Sequence, residues 1–523
     1  MIKFDKKVSM AKRMSGSKSQ RELIEAILNE KRKGTSDLEI GQKYGVNFRY
    51  IERLITKTEG ISVSTLKVSK RIKRLRPKDF EEEDTTFWSF KQRGDWATHS
   101  GEYRGNWSPY IPRNVILKYS KPGELVLDYF CGGGTTAIEC KLLGRRCIAM
   151  DINERAIELA RKNLDFPIKE QQLSFDEESN LEIYEPELRV GDARDLSFLE
   201  DNSVDLICSH PPYANIIHYT NSKEGDLSFL DIDDFLEEMS KVAKESFRVL
   251  KPGRKCAILI GDTRRKRYIV PLGFKLIDVY LGAGFKLKEL VIKQQHNCKT
   301  TGFWYERSIK YNFLLLAHEY LPVFEKPATI NSLNVREGGI DYYFPPSSKA
   351  TSFKKKLDKL ETTTIWKFPV KDFEERLNKN VIERYSNGED CLVIVPFESP
   401  GIKFGGKMWK ENGKLLFIKF PFLKGNPSYL FTQHYLNEIK TIVDEELPNM
   451  KKDGFLVIQT KDVRIDGYVE PLAKKIIDTL TYDNLWLKEI VVAVPEGAHS
   501  KMSNSTDYLK IVHQYLLVYE VKK

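Results

Sequence analysis

A chain of 523 residues is too long for one hydrophobic core and implies roughly two to four domains. Its net charge of +10 is modest for that length, so basic residues bear on function only where they cluster. Seven cysteines without a C-x-x-C pair imply neither a zinc site nor a disulfide framework, and with no apolar segment of membrane length and a charged Met1 to Lys7 start the expectation is a reduced, cytoplasmic protein without metal, membrane or signal peptide.

The basic excess gathers at the front. It peaks in Lys67-Val-Ser-Lys-Arg-Ile-Lys-Arg-Leu-Arg-Pro-Lys78, the kind of stretch that contacts phosphates, although a solvated linker has the same composition. Gln20 to Leu28 has amphipathic helical spacing, and Ser36 to Ile55 reads as helix, Gly45-Val46 turn, helix. That spacing suits a helix-turn-helix whose second helix, near Phe48 to Ile55, carries Arg49 and Arg53 to a groove; a packing or dimerisation module would share it. Residues 1–80 are therefore expected to be a basic helical segment that contacts DNA.

Aromatic-rich segments, Phe87 to Trp96 and Tyr103 to Ser120, lead into Leu125-Val-Leu-Asp-Tyr-Phe-Cys-Gly-Gly-Gly-Thr-Thr136. This is an apolar run ending in an acid, a glycine turn, and then helical spacing from Ala137 to Leu143: strand, turn, helix. Glycines let the backbone approach a ligand closely, and the helix start offers unpaired N–H groups. Arg146-Cys-Ile-Ala-Met-Asp151 repeats the strand-then-acid pattern, and Leu188-Arg-Val-Gly-Asp192 repeats it again. A carboxylate after the second strand can accept both hydroxyls of a ribose. A dinucleotide would use the same acid, but Gly132-Gly-Gly134 followed by two threonines lacks the spaced G-x-G-x-x-G fingerprint. Three acids, Asp128, Asp151 and Asp192, suit a ligand with an amino acid end, a ribose and an adenine: S-adenosylmethionine.

The next strand, Val204 to Cys208, ends in His210-Pro-Pro-Tyr213, where open parallel sheets bind substrate. With these two blocks the chain resembles the amino-methyltransferases of DNA, whose catalytic loop reads Asp/Asn/Ser-Pro-Pro-aromatic. The resemblance spans residues 85–326 strongly and 360–523 weakly. It implies an α/β, Rossmann-like class I methyltransferase fold and cofactor contacts from Asp128, Phe130, Gly132, Gly134, Thr135, Asp151 and Asp192. It adds Pro112, Arg113 and Asn114 as cofactor contacts and places Trp107 or Arg104 toward DNA; an aromatic packing corner is the competing reading of that segment. It makes His210, Pro211, Pro212 and Tyr213 the catalytic loop.

The chemistry accounts for those residue types. The lone pair of the target amine is delocalised into the base, so hydrogen-bond acceptors, the side chain at 210 and the Pro211 carbonyl, must localise it. Prolines stiffen the loop, and Tyr213 offers a ring to a base swung out of the duplex. His210 departs from the family's Asp, Asn or Ser. A neutral imidazole still has one acceptor nitrogen and could also receive the released proton. The departure removes the usual guide to the base, and cytosine N4 is preferred to adenine N6 because the acid usual in adenine enzymes is missing and Ser209 lies adjacent.

After a helix from Ile232 to Val249 and a strand from Cys256, the loop Gly261-Asp-Thr-Arg-Arg-Lys-Arg267 sets Arg264, Arg265 and Arg267 beside a strand end, an arrangement suited to DNA. A closing antiparallel pair follows. The pattern then recurs: Thr362 to Phe368 echoes Thr85 to Phe90, Asn380 to Ser386 echoes Asn114 to Ser120, Cys391 to Phe397 echoes Leu125 to Phe130, and three later strands recur in order. The fold is thus expected to be duplicated, with the second copy degenerate: Glu398 to Phe404 replaces the glycine block, and Phe420-Pro-Phe-Leu423 replaces the catalytic loop.

The expected organisation is 1–80 helical, 85–326 catalytic, 327–359 linker and 360–523 degenerate repeat. The expected activity is site-specific methylation of double-stranded DNA within a restriction-modification system that includes a cognate restriction endonuclease. An RNA guanine-N2 methyltransferase and a non-enzymatic DNA-binding regulator are the alternatives.

Overall fold

The computed structural model describes residues 17–32, 35, 37–46, 51 and 54 at the front and, from 72 to 522, all but 73, 79, 101–102, 104, 169–181, 215–218, 221–222, 266, 297–304, 306–307, 329–340, 343–359, 387–389, 398–412, 422, 425–426 and 498–507. Helices α1 (Ser17–Arg32) and α2 (Asp37–Tyr44) close a small core of Ile27, Leu28, Ile40, Ile51 and Leu54. Arg49, Arg53 and Lys67 to Arg71 lie outside the described residues, as does most of the expected linker.

The first large sheet contains β1 (Phe87–Trp88), β2 (Leu125–Asp128), β3 (Arg146–Asp151), β4 (Glu187–Val190), β5 (Val204–Ser209), β6 (Leu250–Ile258), β9 (Lys286–Gln294) and β10 (His318–Glu325) in the order β1-β9-β10-β6-β5-β2-β3-β4. Strands β7 (Thr263–Arg265) and β8 (Tyr268–Val270) form a separate hairpin. In the large sheet only β10 runs antiparallel to its neighbours. Helices α3 (Tyr110–Tyr119) and α4 (Thr135–Leu142) pack on one face, α6 (Ile232–Val249) and α7 (Leu272–Gly282) on the other. Val126 and Leu206 join one core while their neighbours Leu127 and Ile207 join the other. A strand covered on both faces must be apolar throughout, which is why these strands read as unbroken hydrophobic runs. From β2 the chain steps out to β3 and β4, then returns to β5 on the other side of β2. The crevice at the carboxyl ends of β2 and β5 is therefore the place where such a sheet binds ligands.

The second sheet contains β11 (Ile365–Phe368), β12 (Cys391–Ile394), β13 (Gly413–Ile418), β14 (Met450–Thr460), β17 (Leu485–Pro495) and β18 (Gln514–Val521) in the order β11-β17-β18-β14-β13-β12. That order reproduces β1-β9-β10-β6-β5-β2, and the hairpin of β15 (Val463–Ile465) with β16 (Tyr468–Glu470) reproduces β7 with β8. Among the described residues no strand answers to β3 or β4. Register fixes the catalytic-loop equivalence. Ser209 pairs with Ile258 and Ile418 pairs with Ile458, and the two partners are each followed at equal spacing by an acid and an arginine, Asp262 and Arg264 or Asp462 and Arg464. Lys419 therefore stands where His210 stands, one residue before the Phe420 expected from sequence.

The two sheets meet across a pseudo-twofold seam. Arg264 donates to the carbonyls of Lys488 (2.9 Å) and Leu314 (2.7 Å) and to the Glu489 carboxylate. Arg464 donates to the carbonyls of Lys288 (2.8 Å) and Leu509 (3.2 Å) and to the Glu289 carboxylate. Thr86 bonds His513 Nδ1 and Thr364 bonds His318 Nδ1, both at 2.8 Å. Reciprocal contacts of this kind are those of an isologous dimer, here within one polypeptide. The expectation that Arg264 meets DNA fails for that reason: its side chain is 12% exposed and its charge is balanced by Glu489, so it is not offered to a phosphate. Arg265 and Arg267 remain exposed on the hairpin.

Candidate active site

The sequence after β2 makes the tight turn that its glycines permit. Gly132 and Gly134 both take positive φ, 49° and 84°. A Cβ on Gly132 would lie 2.9 Å from the Tyr103 ring, and one on Gly134 would lie 3.0 Å from the Ala160 Cβ of α5 (Glu154–Leu164). Of these two glycines, Gly132 lines the cleft. The cleft beside it is lined by Phe130, Gly132, Asp151, Asp192, His210 and Pro212 among the expected residues, and also by Tyr103, Asn106, Trp107, Tyr219 and Asp226.

Asp128, Gly134 and Thr135 do not line the cleft. Asp128 lies beneath it, accepting from Ser209 Oγ (2.6 Å) and Phe130 N (3.1 Å), so that it ties the glycine turn to the end of β5. Burial pushes its carboxyl up to about 6 against these donors. Gly134 caps α4 and lets α5 approach, and Thr135 is buried at the helix start. Pro112, Arg113 and Asn114 also lie away from the cleft: Arg113 bonds the buried Glu139 at 2.8 Å, and Asn114 holds Glu83 N at 2.8 Å. Trp107 is buried against His210, and Arg104 lies outside the described residues.

Asp151 receives Gly132 N and Asn153 N, each at 2.9 Å, and burial raises its carboxyl to about 6. Each oxygen keeps a further acceptor position, so ribose hydroxyls can still be taken. Asp192 is held by Arg194, which also grips Glu238. Asp226, unforeseen from sequence, accepts from Thr220 Oγ1 (2.7 Å) and Ser228 N (2.9 Å). Its signal was the Gly225-Asp226 turn; Gly225 takes φ 88°, and a Cβ there would crowd Arg194, Ile152 and Asp192.

At the other end, His210 stacks on Trp107, centroids 5.5 Å apart and 19° from parallel. Its Nε2 lies 2.8 Å from the Tyr213 hydroxyl, which donates to Glu319 Oε1 at 2.9 Å; Glu319 Oε2 meets Lys293 Nζ at 2.8 Å. Burial lowers the imidazole to about 4, so the ring is neutral at ordinary pH. Burial opposes ionisation of Glu319, yet Lys293 and His210 together hold its carboxyl at about 2. Sequence reasoning missed Glu319 and Lys293; the trace they left was charge inside two closing strands buried on both faces.

The arrangement is an acid-lined cleft with a glycine turn for a ribose-bearing, cationic ligand, ending at a neutral histidine and a rigid proline pair. S-adenosyl-L-methionine fits this donor and acceptor set: Asp151 would hold the ribose in the cleft that Phe130 helps to line. Residues 120–266 match a general methyltransferase-domain model, and residues 1–162 and 204–392, more than half the chain, match the N6/N4 model described as DNA methylase. The chain is 36% identical over 132 residues to a tRNA (guanine(10)-N2)-dimethyltransferase of Methanothermobacter thermautotrophicus, covering 25% of this chain and 34% of that one. It is 34% identical over 77 residues to the type II methyltransferase M.SmaI of Serratia marcescens, covering 14% and 26%. A putative DNA modification methylase from Thermus thermophilus, solved with S-adenosyl-L-methionine, is similar at 26% identity and TM-score 0.21, covering 28% of this chain and 56% of that one. The chain thus spans about a third of the first of these curated relatives and about a quarter of the second. With the cofactor cleft and the loop after β5 in place and the family model matched over most of its length, the chain belongs to the N6/N4 DNA methylase family and uses S-adenosyl-L-methionine.

Proposed function

We propose that the protein is a site-specific methyltransferase of double-stranded DNA, acting on the exocyclic amino group of a base swung out of the duplex and paired with a restriction endonuclease. The observation that carries this reading is the position of His210-Pro-Pro-Tyr213: it closes one end of an acid-lined cleft at the point where strand order reverses. When bound, the cofactor supplies a methyl group on positively charged sulfur. Asp151 orients the ribose, with Asp192 and Asp226 nearby. Neutral His210 and the Pro211 carbonyl localise the amine lone pair, and the proline pair holds that geometry without a competing N–H. Arg265 and Arg267, with Arg49, Arg53 and the basic front segment, are the cations offered to phosphate.

Cytosine N4 is favoured over adenine N6 because residue 210 is not an acid. Adjacent Ser209 adds nothing to that preference, since its hydroxyl is fully buried and spent on Asp128. A second reading, methyl transfer to guanine N2 of tRNA, has the likeness to the archaeal tRNA enzyme in its favour. The test is incubation of the full chain with plasmid DNA or total tRNA and cofactor, digestion to nucleosides and mass identification. N4-methylcytosine is expected; N6-methyladenine would correct the base, methylguanine from tRNA alone would favour the second reading, and no methylated DNA nucleoside would overturn the proposal.

A further inference from the structure

The duplicated fold carries its own control. Register sets Tyr320 of β10 opposite Ile292 of β9, and Tyr515 of β18 opposite Val492 of β17, so Glu319 corresponds to Gln514 and Lys293 to Ala493. Buried polar residues recur in both halves: Asp262 and Asp462 and, at the seam, Arg264 and Arg464, Glu289 and Glu489. So do His318 with Tyr320 and His513 with Tyr515, bonded at 3.1 Å and 3.0 Å. The chain from His210 through Tyr213 and Glu319 to Lys293 does not recur. Its counterparts are Lys419, Phe422, Gln514 and Ala493. A network needed for folding should have survived with the seam; this one did not, and among the described residues no strand answers to those that carry the cofactor acids.

We propose that Tyr213, Glu319 and Lys293 form a positioning relay that fixes the single N–H of the His210 ring and prepares the ring to take the proton released by the methylated amine. The inference rests on the amino-methyltransfer reading above. Lys293 keeps Glu319 ionised, so the Tyr213 hydroxyl donates to Glu319. A phenol has one proton, and its oxygen can then only accept from His210 Nε2. The neutral ring therefore carries hydrogen on Nε2 and a lone pair on Nδ1, and Trp107 holds its plane. In the reaction the donor carbon–sulfur bond breaks as the carbon–nitrogen bond forms, and the surplus proton on nitrogen passes to Nδ1 and then to solvent. While the ring is charged, Glu319 offsets it through Tyr213, and the Gly105 backbone favours its protonated form. The other charges facing the ring, Lys293 and Arg93, act in the opposite direction.

The test uses full-length protein with nitrogen-15 histidine, the His210 signal being assigned by its loss in His210→Ala. Wild type should show a protonated Nε2 and an unprotonated Nδ1. Glu319→Gln, whose side chain the second half already accommodates at Gln514, should lose that fixed tautomer and titrate at lower pH, because Glu319 attracts the ring proton. Its kcat should fall on the order of a hundredfold with KM for DNA and cofactor affinity unchanged. Tyr213→Phe should lose the tautomer in the same way with the charges intact. Unaltered His210 signals and kcat in Glu319→Gln would overturn the relay. If wild type methylates no DNA, the functional reading falls, while the tautomer measurement still decides whether the relay sets the ring.

Discussion

The two halves of this chain share a strand order but not a fate at the carboxyl ends of their strands. In the first, the sheet continues outward to β3 and β4, whose ends lead to Asp151 and Asp192; in the second, among the described residues, β12 is the outermost strand. Where both halves meet, the buried charges match almost residue for residue. The difference separates two kinds of buried polar group. Those that join the halves are kept in both, and those that serve the cleft are kept in one.

The seam is the place to break this symmetry most severely. Arg264→Met would leave Glu489, which is 1% exposed in its side chain, as an unpaired charge. Removing one partner of a buried pair costs about 3–5 kcal/mol. The expected result is a large drop in melting temperature, recovered in good part by adding Glu489→Leu, which removes the stranded charge. The mirrored change, Arg464→Met, should cost a similar amount. A loss confined to one of the two mirrored variants would contradict an equivalent role for both halves at the seam.

The cleft should respond chiefly in function, with a smaller loss in stability because Asp151 accepts two backbone N–H groups. Asp151→Asn keeps the shape but weakens the acceptor, and hydrogen bonds to a charged group contribute about 1.5–3 kcal/mol. Cofactor affinity measured by calorimetry should therefore fall roughly ten- to a hundredfold, with DNA binding retained. Unchanged cofactor affinity would remove Asp151 from the site.

What could be read before the structure follows the same division. Strand ends that carry glycines, prolines and acids were legible, because the chemistry needs those residue types in short contiguous blocks: Leu125 to Thr136 and Leu206 to Tyr213. The duplication was legible because each half is apolar at the same intervals. The relay was not, since its members come from the loop after β5 and from two later strands, and contiguity gives no hint that Lys293 and Glu319 meet Tyr213. Arg264 was misread because a cation in a basic loop looks alike whether it meets a phosphate or a carboxylate from a distant strand. Asp128 stands at the end of β2 where the motif expects it, and contiguity gave no hint that its hydrogen bonds hold the glycine turn to the end of β5.

A pH-dependent effect is expected of the acids kept in both halves. Asp262 accepts from Gly273 N at 3.0 Å and from Tyr320, Asp462 from Ala473 N at 3.3 Å, and burial pushes both carboxyls up to about 7. A carboxyl in the unfolded chain titrates at about 3.9. The folded state thus holds the proton more tightly, and the stability this contributes is complete below the unfolded value and lost as pH rises through about 7. Replacing Asp262 with Asn removes the titration while keeping an uncharged side chain of the same shape. The melting temperature of wild type relative to Asp262→Asn should therefore decline between about pH 4 and pH 7, and Asp462→Asn should show the same slope. Equal slopes would place these acids with the seam, as groups whose burial serves the joined fold. A slope at Asp262 alone would move it toward the active half, where it lies on the same segment as the exposed Arg265 and Arg267.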